Sequence, residues 1–125
     1  MADDDGIPAE LRDFIVQTIE SVGQLEALLL LRDNPEQAWD AAQLSKRLYV
    51  TEAEATSIFA HLIEQGLVIE QDGSCRYDPQ GKQAGLIDRL AEAYARQLIP
   101  ITNLIHAKPR RIRAFADAFK FKRDK

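Results

Sequence analysis

Between Thr51 and Asp78 the chain carries a run of local signals that leaves little choice of conformation. Thr51 with Glu54 three residues later is a capping-box pattern, which opens a helix by satisfying its first free N–H groups. Ala55, Ile58, Phe59, Leu62 and Ile63 then recur at helical spacing on one face. Gly66 follows at the place where a left-handed residue ends a helix. Leu67–Gln71 and Ser74–Asp78 read as two short strands around Asp72-Gly73, a pair whose readiness for positive φ makes it a strong hairpin signal. A capped helix running through a glycine stop into a hairpin is therefore expected.

The flanking sequence supplies further helices. From Pro8, Leu11, Phe14, Ile15, Ile19 and Val22 keep helical spacing, and Pro8 suits a first turn, where its missing N–H costs nothing. Gly23 is expected to bend or break this helix, and Leu25, Leu28, Leu29 and Leu31 continue to Arg32 before Asp33-Asn34-Pro35 stops the run. Trp39 anchors a short connection, Asp40 caps a helix from Ala41 to Leu48, and Tyr49-Val50 makes the turn into Thr51. After Pro79 and Gly81, a long helix is expected through Leu86, Ile87, Leu90, Tyr94, Leu98, Ile101, Leu104 and Ile105, kinked at Pro100 and ended by Pro109. Residues 110–122 form a last amphipathic stretch with Ile112, Phe115, Ala116 and Phe119 on one side. These readings divide the chain into a disordered acidic tip (1–7), an N-terminal helix with a compact core (8–81), and a C-terminal helix with a basic tail (82–125).

The length of 125 residues, with 46% hydrophobic and 29% charged side chains, suits one ordinary globular domain. No apolar run approaches the ~20 residues of a membrane-spanning helix. The acidic opening Met1-Ala2-Asp3-Asp4-Asp5 is unlike the basic, then apolar, start of a secretory signal, so a cytoplasmic location is expected. Cys75 is the single cysteine, which rules out an intrachain disulfide and leaves a small strand residue or a redox sensor as its readings. His61 and His106 lack metal-ligand spacing, and no nucleophile–base set or glycine-rich phosphate loop can be assembled. Neither an enzyme nor a cofactor or metal site is expected.

Charge is unevenly spread. Residues 1–80 hold 16 acids and 5 bases, a formal charge of −11, whereas residues 81–125 hold 4 acids and 11 bases, a charge of +7. Such asymmetry suits a basic tail that meets an anionic partner or the acidic body.

The strings Leu44-Ser45-Lys46-Arg47-Leu48, Thr51 to Ile63, and Glu64-Gln65-Gly66-Leu67-Val68 together resemble the core of MarR-type and ArsR-type bacterial transcriptional regulators. The segment Asn103 to Pro109, with Phe115 to Phe119, is similar to small bacterial winged-helix proteins. The resemblance spans roughly residues 22 to 80. It implies a mainly α fold: a winged helix-turn-helix core with a two-stranded wing, an extra N-terminal helix and a long C-terminal helix. In such regulators the third helix enters the major groove, which implies contacts from Thr51, Glu52, Ala53, Glu54, Thr56, Ser57 and His61.

That helix has no lysine or arginine, although guanine is usually read by a cationic fork and a duplex presents one phosphate charge per ~1.7 Å. Glu54 has a second reading as a capping residue, and His61 as a structural histidine. Lys46, Arg47 and Arg76 are the nearby cations, read either as phosphate contacts or as solvated charges. In the tail, Lys108, Arg110, Arg111, Arg113, Lys120, Lys122, Arg123 and Lys125 oppose only Asp117 and Asp124. This basic stretch, interleaved with Phe115, Phe119 and Phe121, suits nucleic-acid phosphate, an anionic membrane surface, an acidic protein groove, or packing on the body. The expectation is a dimeric DNA-binding regulator whose wing and tail supply phosphate contacts. The alternative is a protein-interaction module whose acidic third helix docks a basic partner, with membrane attachment through the tail as a third reading. The apolar stripes of the terminal helices serve either the chain's own core or a homodimer interface.

Overall fold

The structure, a computed structural model, describes residues 7–107. The acidic tip before Ile7 and the basic tail, with Lys108, Arg110, Arg111, Arg113, Lys120, Lys122 and Arg123, lie outside the described residues. The described part is mainly helical, with one small antiparallel sheet. Helices α1 (Ala9–Thr18), α2 (Val22–Asp33), α3 (Ala41–Leu48) and α4 (Glu52–Glu64) precede strands β1 (Val68–Gln71) and β2 (Ser74–Tyr77). Helices α5 (Ala84–Arg96) and α6 (Leu98–Ala107) follow. No single described helix is long and apolar enough to cross a membrane.

The described residues form two compact units, Gly23–Glu92 and the terminal segments up to Val22 and from Ala93 onward. In the central unit α3 packs chiefly on α4, and α4 leads into the hairpin. Its core contains Leu25, Leu28 and Leu31 of α2, Leu44 of α3, Ile58, Phe59 and Leu62 of α4, and Cys75 and Tyr77 of β2. Both inner helices begin with complete capping boxes. Thr51 Oγ1 accepts from the Glu54 N–H at 3.0 Å while the Glu54 carboxylate accepts from the Thr51 N–H at 3.1 Å. Asp40 and Gln43 make the same reciprocal pair on α3, at 2.8 and 2.9 Å.

Helix α4 ends in a Schellman motif. Gly66 takes φ +73°, its N–H donates to Ile63 O, and the Leu67 N–H donates to Leu62 O at 3.0 Å. Leu67 is therefore spent on the cap, and the first strand starts one residue later than its alternation suggests. At the other end, Asp78 leaves the ladder because its carboxylate accepts from the Gln80 N–H and its carbonyl from the Gly81 N–H. Asp72 and Gly73 both have positive φ, 55° and 81°, as a type I′ turn requires. The pairs Val68–Tyr77, Ile69–Arg76, Glu70–Cys75 and Gln71–Ser74 fix the register. On the free edge of β2, Trp39 exchanges both backbone hydrogen bonds with Cys75 at 2.8 Å, adding a one-residue third strand. Arg32 at the end of α2 donates to Asp88 of α5 and to Asp33, each at 2.9 Å, and the bond to Asp88 holds the guanidinium pKa above its ordinary value.

In the terminal unit, Ile7, Leu11, Phe14, Ile15 and Ile19 are buried, as are Ile101, Leu104 and Ile105 of α6. Two breaks differ from those expected. Gly23 does not interrupt its helix. The chain leaves α1 at Ile19, which is extended (φ −105°, ψ 123°) and fully buried, and Gly23 lies inside α2. Nor is Pro100 a kink within one long C-terminal helix. A proline ring clashes with the carbonyl four residues earlier, here Arg96, and Arg96 is the residue where α5 stops. Pro100 then sits in the first turn of α6, where its lack of an N–H is harmless.

Candidate docking face

The exposed side of α4 is held by the structure around it. The Thr51–Glu54 box sets where the helix begins, and burial of Ala55, Ile58, Phe59 and Leu62 sets which side faces out. Thr51, Glu52, Ala53, Glu54, Thr56, Ser57, Ala60 and Glu64 are exposed, whereas His61 is half-buried. In the cap, Oε1 of the exposed Glu54 carboxylate accepts from both the N–H and the hydroxyl of Thr51, and the carboxylate's negative charge remains at the surface.

The cations proposed near this face are dispersed. Lys46 and Arg47 are exposed in the last turn of α3, and the Arg47 guanidinium lies 5.7 Å from the ring centroid of buried Trp39, within cation–π range. Arg76 pairs with Ile69 across the hairpin, and side chains alternate faces along a strand. Arg76 is therefore on the outer face, opposite Glu70 and Cys75. From Leu48 to Cys75 the chain has five acids and neither lysine nor arginine. This stretch includes all of α4 and the hairpin turn, so Glu52, Glu64, Glu70 and Asp72, all exposed, dominate the local field.

Other residues here carry weaker sequence signals. Tyr49 ends α3 in the left-handed region (φ 59°) and is 93% exposed. Between α4 and the inner face of the hairpin opens a groove of about 180 Å³, with Phe59, Ala60, Ile63 and Cys75 lining it and Glu70 beside it. Position 60 continues the i, i+4 row of Glu52 and Thr56, and Glu70 falls on the inward phase of β1. Those spacings are the signal that marks both, although neither residue type is distinctive.

Cys75 is buried at the base of this groove. Its thiol pKa is pushed up to about 11, chiefly by burial and secondarily by the negative charge of Glu70. The thiolate needed for redox chemistry is therefore suppressed at neutral pH. The pKa of Tyr77, two residues on, is also raised, by burial and then by Asp88, and its buried hydroxyl has no hydrogen-bond partner among the described residues.

Compared with known proteins, the chain matches no family model, no curated protein and no solved structure.

Proposed function

We propose that this protein is a winged-helix protein-interaction module that docks a basic partner on the face formed by α4 and the hairpin. The order α2, a one-residue strand at Trp39, α3, α4 and a hairpin supports the winged-helix reading, with α4 as the third helix and β1–β2 as the wing. The observation that carries the docking reading is the run from Leu48 to Cys75, which covers α4, β1 and the hairpin turn with five acids and no lysine or arginine, while Arg76 of β2 lies on the opposite face of the hairpin from Glu70. Such a surface repels a phosphate backbone and attracts lysine and arginine.

A dimeric DNA-binding regulator is the second reading. Exposed Lys46 and Arg47, the basic segment after Ala107, and the resemblance to MarR-type and ArsR-type proteins favour it.

Titration of the full chain with a fluorescent lysine- and arginine-rich peptide and with duplex DNA, over a salt series, separates the two. The docking reading expects peptide binding that falls about tenfold or more in the combined Glu52→Lys, Asp72→Lys variant. The regulator reading expects DNA binding that strengthens in the same variant. Absence of peptide binding at low salt, or peptide binding indifferent to both substitutions, overturns the docking reading.

A further inference from the structure

The groove between α4 and the hairpin has a chemistry that the acidic surface alone does not explain. Its base is apolar, with Phe59 and Cys75 at 6% and 3% exposure, and Ile63 beside them is half-buried. Thr56 and Ala60 form its exposed edge on α4. Glu52 lies one turn before Thr56, and Glu64 one turn after Ala60, so the i, i+4 row places a carboxylate at each end of that edge. Glu70 stands on the hairpin side, paired directly with Cys75 and sharing its face. An apolar depression, lined also by Ala41 at the start of α3, thus has the Glu70 carboxylate in its wall and Glu52 and Glu64 further along the α4 row that forms its edge.

We infer that this groove is the seat for one aromatic side chain of a lysine- or arginine-rich segment on a separate protein. The inference rests on the docking reading and names the recognition chemistry of that face. A side chain inserted between α4 and the hairpin carries its sequence neighbours past Glu52, Glu64 and Glu70, and cations at those neighbours meet complementary charge. An aromatic ring suits the groove because it buries a large area at little conformational cost, and Phe59 offers a ring for edge or offset contact. Nucleic acid is disfavoured because its phosphates would face the same carboxylates.

The test uses the full-length chain and a synthetic peptide of lysine and arginine around a central phenylalanine, compared with the same peptide carrying alanine at the centre. Ala60→Trp, at an exposed helical position, fills the groove without adding charge, and Glu70→Lys reverses its hairpin side. Thermal melting followed by circular dichroism establishes that each variant folds. The phenylalanine peptide should bind about tenfold or more tightly than the alanine peptide, and Ala60→Trp should abolish that difference. Glu70→Lys should weaken both peptides. Equal affinity for the two peptides, or undiminished discrimination in Ala60→Trp, overturns the inference. If binding still requires Glu52 and Asp72 in that case, the docking reading survives without the groove. If neither peptide binds, the docking reading itself falls. Affinity for the added peptide that rises in an Arg110→Ala, Arg111→Ala, Arg113→Ala variant would assign the seat to this chain's own tail, overturning the separate partner.

Discussion

Cys75 shows how one residue's environment decides between readings that its identity leaves open. As a lone cysteine it fits a small strand residue or a redox sensor. Its two backbone bonds to Trp39 and its burial place it in the central core. Because the folded-state pKa is raised from 9.0 to about 11, folding favours the neutral thiol. The unfolded chain ionises first, so the contribution to stability is fully present below pH 9 and is lost as pH rises through 11. Denaturant melts between pH 8 and 11 should show that decline, and Cys75→Ala should remove the part below pH 10, leaving the share that the raised Tyr77 contributes above it. At pH 8 a thiol reagent should label the native chain far more slowly than the unfolded one. Tyr49 is the opposite kind of residue, with nearly all its surface in water and its backbone in a conformation that non-glycine residues rarely adopt.

At the scale of the element, α4 was legible in detail because its determinants are local. The Thr51–Glu54 box, the apolar row and the Gly66 stop each act within a few residues, and each appears as its spacing suggests. The cap also constrains how the surface can be probed, since Glu54 is both an exposed acid and a bonded partner of Thr51. Thr51→Ala should cost about 1 kcal/mol in chemical denaturation by removing the cap acceptor. Glu54→Gln keeps an amide oxygen for the Thr51 N–H and should cost less than half of that. The reverse order would mean that the Glu54 charge, rather than the box, holds this end of the helix. Element boundaries were less legible. Pro100 identified a disturbance, but its effect falls at Arg96, because the clash of a proline is with the preceding turn. Gly23 does not mark the break, which falls at Ile19; it sits in the first turn of α2, where a glycine costs little.

For the molecule as a whole, the terminal unit leaves Val16, Leu98 and Ile99 exposed at 40%, 49% and 65%. A homodimer through these side chains is the prediction drawn from the apolar stripes of the terminal helices. Light scattering on the full chain should then give a dimer mass, and Ile99→Glu should shift it toward the monomer. A monomer for the parent chain would remove this reading.

The sequence alone determined the central helices, the I′ hairpin and the lack of basic residues from Leu48 to Cys75, because caps, turn dihedrals and composition depend on residue type and near neighbours. Tertiary structure decided what that acidic run surrounds. Bonding Trp39 to Cys75, turning Arg76 outward and bringing Glu70 beside Ala60 required the hairpin to fold back against α4. No local rule specifies that non-local packing. The capped helix that most constrained the chain at the outset is thereby also one wall of the groove.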